Sequence, residues 1–130
     1  MKTILVDAAH TFIVEVEGKF GIFKEMYDML ETFPNRKIIL TNANDDEIKK
    51  YKLDEMPYEV FTLKHNPDKT NPKYYEILLQ NFNLSKDDVV YFEHNPNAVK
   101  SAQSIGITSY YYASNKGDLI ALRNFLIESL

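Results

Sequence analysis

The sequence predicts an α/β fold, a three-layer arrangement in which helices cover both faces of a five-stranded, doubly wound parallel sheet. Short apolar runs rich in β-branched residues alternate with segments of helical periodicity from end to end of the chain, which is typical of parallel strands buried on both faces. The chain has 130 residues, the usual size of one domain. We therefore expect residues 1–130 to form a single domain without a linker.

Five apolar runs are predicted to be the strands of this sheet. The first is a run of three apolar residues that ends directly at Asp7. Right-handed crossovers bring the carboxyl ends of all parallel strands to one side of the sheet. In chain order the predicted strands are 4–6, 37–41, 59–63, 89–92 and 107–112.

The segments between the strands carry helix and turn signals. Residues 12–18 alternate apolar and acidic side chains up to a glycine, which predicts a small hairpin or flap beside the end of the first strand. Apolar residues at helical spacing then predict a helix over 19–33 and a closing helix over 116–130. Three further helices are predicted to begin at asparagine caps, Asn44, Asn71 and Asn95, the last two followed by proline at the first helical position.

Composition excludes several classes of protein. The formal net charge is −4 and the lysines are interleaved with acids, whereas nucleic-acid binding usually requires a basic patch. The chain has no cysteine, so it can form neither a disulfide nor a thiolate metal site. No apolar run approaches the roughly 20 residues of a membrane span. We expect a cytoplasmic protein that binds neither nucleic acid nor membrane.

Polar residues stand where the predicted strands end. Asp7, Thr41 and Glu93 follow three of the apolar runs, and Lys69 lies in the loop before the helix that begins at Asn71. Ligands bind in the crevice at the carboxyl ends of such strands. Two carboxylates can hold Mg²⁺, a lysine and helix N-termini can bind phosphate, and a carboxylate can attack phosphorus. The residues therefore predict a Mg²⁺ and phosphate site.

Four segments also match a known set of motifs in order and spacing. The first predicted strand runs into Asp-Ala-Ala-His-Thr at 7–11, the second ends in Thr-Asn at 41–42, a Lys-Thr-Asn-Pro segment occupies 69–72, and the fourth strand ends in Glu-His at 93–94 before a helix and a Gly-Ile pair at 106–107. This order resembles the haloacid dehalogenase (HAD) superfamily of phosphohydrolases. The resemblance covers nearly the whole chain, and it implies a Rossmann-like core with the sheet order 5-4-1-2-3.

The resemblance implies specific roles for the matching residues. Asp7 would be the nucleophile and a Mg²⁺ ligand, with the main-chain oxygen of Ala9 and the carboxylate of Glu93 as the other protein contacts to the metal. The residues that would hold the phosphoryl oxygens or offset charge are Thr41, the Asn42 backbone and Lys69.

Three positions depart from the family pattern. Ala9 stands where the family has the aspartate that protonates the leaving group, His10 where it has glycine, and His94 where it has a second acid. General acid catalysis contributes typically 10²–10⁴-fold, so ordinary phosphatase turnover should be weak. Either His10 or His94 could instead transfer the proton. The intervals between the motifs are short, so we expect no cap domain and an open site.

The sequence leaves open other roles for these residues and more than one function class. Asp7 and Thr41 could simply cap turns or helices, and Lys69 could be a solvated charge like Lys64 and Lys73 nearby. One function class is a slow hydrolase acting on a small phosphorylated molecule or a phosphorylated macromolecule. The other is a catalytically degenerate relative that serves as a phosphate-binding or protein-interaction module, and an exposed site would also permit self-association. A response-regulator receiver domain fits less well, because its phosphorylated aspartate follows the third strand and the segment after residue 63 has none.

Overall fold

Seven strands and five α-helices make up the computed structural model, which describes residues 1–130. The strands are β1 (Thr3–Asp7), β2 (Ile13–Val16), β3 (Lys19–Ile22), β4 (Lys37–Thr41), β5 (Glu59–Thr62), β6 (Val89–Glu93) and β7 (Thr108–Tyr111). The helices are α1 (Lys24–Leu30), α2 (Asp45–Lys50), α3 (Pro72–Asn81), α4 (Pro96–Ser104) and α5 (Leu119–Ser129).

The central sheet contains five strands, all parallel, in the order β5-β4-β1-β6-β7. This labelling differs from the expected 5-4-1-2-3 because β2 and β3 pair with each other outside the sheet and take two numbers. If the two hairpin strands are left out of the numbering, the order of the sheet strands from the β7 edge is 5-4-1-2-3. The predicted α/β class and five-stranded parallel sheet are thus confirmed.

Each face of the sheet packs against its own pair of helices. On one face, Ile4 and Val6 of β1 pack in a cluster with buried residues of α1 and α5. On the other face, Leu5 packs in a second cluster with residues of α3 and α4. All residues of β1, β4 and β6 are buried, as expected for strands covered on both sides. Packing on both faces therefore holds the carboxyl ends of these three strands in place.

The predicted helix caps form as the sequence indicates. The side chains of Asn71 and Asn95 accept hydrogen bonds from the backbone two residues on, and each precedes a proline in the first turn. Asn44 and Glu47 make a reciprocal capping box at the start of α2. These local signals place three helix N-termini beside the strand ends.

The helix predicted over 19–33 is wrong at its start. Residues Lys19–Ile22 form β3, antiparallel to β2, and α1 begins only at Lys24. The hairpin turns through Glu17 and Gly18, which both have positive φ (53° and 77°), the backbone that two-residue hairpin turns require. The aromatic spacing that mimics a helix instead places Phe20 against Tyr51, with ring centroids 4.8 Å apart.

The closing helix also begins later than predicted. Asp118 caps it by accepting a hydrogen bond from the Ala121 N–H, so α5 starts at Leu119 rather than at residue 116. None of the helices combines the length and the apolar character needed to traverse a lipid bilayer.

Candidate active site

The carboxyl ends of β1 and β6 bring two carboxylates to a single buried lysine. Lys69 Nζ donates to Asp7 Oδ1 at 2.6 Å and to Glu93 Oε1 at 2.7 Å. A third, longer hydrogen bond of 3.3 Å reaches the Leu40 carbonyl on β4. Asp7 is 1% exposed, Lys69 6% and Glu93 0%. Three residues that the sequence places far apart therefore form one buried ion-pair network.

The other two candidate lysines lie outside this network. Lys64 pairs with Asp45 at 2.9 Å on the surface, and Lys73 is exposed. The loop that carries Lys69 is anchored by a hydrogen bond, in which the Lys69 N–H donates to Asn42 Oδ1 at 2.8 Å. Of the three lysines, Lys69 is therefore the one that contacts the candidate carboxylates.

His94 bridges the same two carboxylates on their other oxygens. Its Nδ1 contacts Asp7 Oδ2 and lies 3.2 Å from Glu93 Oε2. Asp7 Oδ2 also accepts hydrogen bonds from Thr11 Oγ1 at 2.7 Å and from the His94 backbone N–H at 3.2 Å. Each carboxylate thus faces a lysine on one side and an imidazole on the other.

The network sets the charge of its members. Burial alone would raise the pKa of Asp7, but the Lys69 charge and the His94 hydrogen bond hold it well below its usual range. Burial alone would lower the pKa of Lys69, but the charges of Asp7 and Glu93 raise it well above its usual value. Hydrogen bonds to Asp7 and then to Glu93 raise the pKa of His94 to about 9. At neutral pH, Asp7 is ionised and two cations surround it.

Tyrosines beneath the site orient Glu93, and the sequence analysis missed them. The Tyr91 hydroxyl donates to Glu93 Oε1 and lies 3.3 Å from the Tyr75 hydroxyl. The Asn95 N–H donates to Glu93 Oε2 at 3.0 Å. Tyr91 stands two residues before Glu93 on β6, so strand periodicity places both side chains on one face. That spacing is the signal that could have identified it.

The predicted phosphate-binding residues line the pocket beside Asp7. Thr41 is buried, and its Oγ1 accepts a hydrogen bond from the Ala43 N–H at 3.1 Å. The Tyr74 hydroxyl donates to the Thr41 carbonyl at 2.9 Å. Asn42 accepts the hydrogen bond from the Lys69 N–H through its Oδ1 and also lines the pocket. Thr41 makes a local turn contact and lines the pocket as well.

Every predicted site residue lines one open pocket of about 190 Å³. His10, which has a positive φ of 65°, lies at this pocket with its ring edge toward His94, the centroids 5.4 Å apart. His65 also contributes to the wall, where it contacts Glu47 Oε1 at 2.8 Å and Asp68 Oδ2 at 3.2 Å. The pocket residues are Asp7, Ala9, His10, Thr41, Asn42, Ala43, Glu47, Tyr51, His65, Lys69, Glu93, His94 and Asn95.

The donor groups of the site fit a divalent cation. Asp7, Glu93 and His94 each offer one ligand atom, and these atoms lie within 4.8 Å of one another. Ala9 borders the pocket, and no backbone N–H of the surrounding loops donates to its carbonyl oxygen. Two carboxylates and a main-chain oxygen are hard oxygen donors of the type that Mg²⁺ accepts.

Comparison with solved structures agrees with this fold. No protein-family model and no curated protein sequence matches the chain. A HAD family enzyme of Bacteroides thetaiotaomicron, an aspartate-to-alanine mutant in complex with magnesium and inorganic phosphate, superposes with a TM-score of 0.65 at 12% identity, covering 88% of this chain and 95% of that one. An uncharacterized protein of Corynebacterium glutamicum gives a TM-score of 0.69 at 14% identity, covering 96% of this chain and 94% of that one.

A third similar structure contains a bound metal. It is the N-terminal part of a Bacteroides fragilis protein containing a phosphatase domain, complexed with Mg, with a TM-score of 0.64 at 16% identity. The alignment covers 96% of this chain and 39% of that one. At these identities the likeness establishes the fold. The HAD-like fold that the four motifs predicted is therefore confirmed.

Proposed function

We propose that this protein is a Mg²⁺-dependent phosphohydrolase that acts through a phospho-Asp7 intermediate. One observation carries the proposal: the buried Asp7 carboxylate lines an open pocket, where Lys69 donates to one of its oxygens and Glu93 and His94 complete a possible cation site with it. The two structural neighbours described above with bound magnesium support the choice of cation.

The residues of the site suit the first chemical step. One carboxylate oxygen of Asp7 attacks phosphorus, an oxygen–phosphorus bond forms, and the bond from phosphorus to the leaving oxygen breaks. Lys69 offsets the negative charge that the phosphoryl group brings, while the Thr41 hydroxyl and the Asn42 backbone hold its oxygens. Bound Mg²⁺, held by Asp7, Glu93 and the Ala9 carbonyl, would neutralise further charge on the phosphoryl group.

The second step restores the enzyme. The oxygen of a water molecule bonds to phosphorus, the bond from Asp7 to phosphorus breaks, and inorganic phosphate leaves with one proton passing to solvent. Lys69 keeps the released carboxylate ionised, and Lys69 and Thr11 keep it oriented for another turnover.

Ala9 limits the substrates that can react. Its methyl group cannot donate a proton, so the leaving oxygen must depart as an anion or take a proton from solvent or from His10 or His94 at the pocket. A group of low pKa, as in an acyl or aryl phosphate, departs without an acid. We therefore propose that these phosphates react faster than alkyl phosphates, by a margin of the order of the 10²–10⁴-fold that a general acid contributes.

The size and openness of the pocket favour recognition of the phosphoryl group alone. A space of about 190 Å³ bordered by charged side chains suits a phosphoryl group, while the remainder of the substrate extends outside. No cap is needed in this proposal, and either a small phosphorylated molecule or a phosphorylated macromolecule can reach Asp7.

Turnover measurements test this function. The purified protein is incubated with Mg²⁺ and a panel of acyl, aryl and alkyl phosphates, together with Asp7→Asn and the exposed control Asp46→Asn. We expect hydrolysis of acyl and aryl phosphates that Asp7→Asn abolishes and Asp46→Asn preserves. Ala9→Asp should raise the rate on alkyl phosphates most. Equal rates for wild type and Asp7→Asn would refute the proposal.

A second candidate function is a catalytically degenerate module that binds phosphate or a protein partner. Ala9 favours it, because the side chain that would assist the leaving group is missing while the charged pocket is kept. Mg²⁺ with fluoroberyllate should raise the melting temperature under the hydrolase proposal, since a ligand that binds the native state stabilises it by mass action. Stabilisation without any turnover would favour the binding module.

A further inference from the structure

We propose that His94 is a metal ligand, and that the site therefore binds a transition-metal dication such as Co²⁺ or Zn²⁺ more tightly than Mg²⁺. The inference deepens the proposed function, because it rests on the same cation site at Asp7 and Glu93. In this proposal the protein ligands of the metal are two carboxylates and one imidazole, rather than oxygen atoms alone.

The position of the imidazole nitrogen carries the argument. His94 Nδ1 lies between Asp7 Oδ2, which it contacts, and Glu93 Oε2, 3.2 Å away. These are the carboxylate oxygens that face away from Lys69, which binds Oδ1 and Oε1. An ion that reaches both carboxylates on this side meets the His94 ring first.

Because Nδ1 occupies this position, a metal ion must either coordinate it or displace the ring. Mg²⁺ takes oxygen ligands in a near-ideal octahedron, so it would require the His94 ring to leave both carboxylates. A Co²⁺ or Zn²⁺ ion accepts imidazole nitrogen readily. It would take the place of the Nδ1 proton and keep the histidine bound.

The surroundings hold the ligands in place for such an ion. Thr11 Oγ1 donates to Asp7 Oδ2 at 2.7 Å, and the Tyr91 hydroxyl and the Asn95 N–H donate to Glu93. Hydrogen bonds of this kind orient carboxylate ligands and strengthen metal binding. The His94 side chain is 28% exposed, so solvent and metal ions reach the ring through the pocket.

Metal titration without any phosphate ester tests the inference. Co²⁺ binding is followed by its visible absorption, and Mg²⁺ affinity is measured by calorimetry and by competition against Co²⁺. We expect the wild type to bind Co²⁺ at least about tenfold more tightly than Mg²⁺, because imidazole suits transition metals whereas Mg²⁺ favours oxygen ligands. Pulsed EPR of the Co²⁺ complex should show one imidazole nitrogen bound to the metal.

Two variants and one control assign the effect to His94. His94→Gln should weaken Co²⁺ binding by at least about 10–100-fold, the loss that changes to hydrogen-bonding partners of metal ligands already cause, and should remove the imidazole nitrogen signal. His94→Asp should restore an all-oxygen set and shift the preference toward Mg²⁺. His65→Gln, whose ring lies at the pocket wall against Glu47 and Asp68, should leave Co²⁺ affinity unchanged.

Other results would contradict the inference or the proposed function. Tighter binding of Mg²⁺ than Co²⁺, or a wild-type Co²⁺ complex without a nitrogen ligand, would overturn the inference, and neither measurement depends on a variant folding. Co²⁺ binding through His94 without any phosphate turnover would leave the inference standing and remove the proposed function. Mg²⁺-dependent turnover by a protein whose Co²⁺ complex has no nitrogen ligand would do the reverse.

Discussion

Removing the buried lysine should be among the most destabilising single substitutions in this protein. Lys69→Met keeps an unbranched apolar side chain and deletes the ammonium group that both Asp7 and Glu93 contact. Those carboxylates are 1% and 0% exposed, so water cannot replace the lost charge. Breaking one partner of a buried ion pair typically destabilises a protein by about 3–5 kcal/mol, and we expect a loss in that range.

Urea unfolding measures this loss directly. The midpoint should fall while the slope stays constant, because the surface exposed on unfolding is nearly unchanged. Lys73→Met is the matched control, since Lys73 is exposed four residues away and surface substitutions usually change stability by less than about 0.5 kcal/mol. A loss below about 1 kcal/mol for Lys69→Met would refute the view that this lysine neutralises two buried carboxylates.

Three further predictions concern other groups. Tyr74→Phe removes hydrogen bonds to the Thr41 and Phe61 carbonyls and should cost about 1 kcal/mol in urea unfolding, whereas Tyr111→Phe, at a half-exposed position, should be neutral. The pKa of His94 is raised from 6.5 to about 9 by its hydrogen bonds to Asp7 and Glu93, so its stabilising contribution is complete below about pH 6.5 and is lost as the pH rises to about 9. His94→Gln should flatten that part of the pH profile of the unfolding free energy, and an unchanged profile would count against a charged His94. Asn44→Ala removes the capping box of α2 and should lower the unfolding free energy by about 1 kcal/mol; no change would show that α2 does not depend on its cap.

Local signals determine much of the architecture and can be seen in the sequence. The apolar runs around Ile4 and Ile38 identify strands buried on both faces, and the Asn-Pro pairs at 71–72 and 95–96 mark helix starts that the structure contains. Residues at the ends of parallel strands necessarily meet at one edge of the sheet. The proximity of Asp7, Thr41 and Glu93 therefore follows from the order of strands and helices along the chain.

Features that depend on competition between two local patterns were harder to predict. Phe20 and Phe23 have helical spacing, yet Phe20 lies in β3 because the Glu17-Gly18 turn pairs that segment with β2. Backbone pairing outweighed the side-chain periodicity there. A glycine that follows alternating residues was the available sign of a two-residue hairpin turn.

The individual side-chain contacts of His94 could not be predicted from the sequence. His94 is 87 residues from Asp7 in the chain, and its contact with both carboxylates follows from the register of β1 against β6. The sequence alone shows only that a histidine follows Glu93. The same holds for the Tyr75 hydroxyl, which lies beside Tyr91 only when α3 packs against β6.

Detection of a phosphoryl group on Asp7 tests the central claim most directly. The protein is incubated with a divalent cation and acetyl phosphate, quenched in acid, and examined by intact mass and by peptide mapping after reduction of any acyl phosphate. We expect one phosphoryl group per chain, located at Asp7 and missing in Asp7→Asn. Hydrolysis of acetyl phosphate without modification of Asp7, or the same modification in Asp7→Asn, would contradict the account.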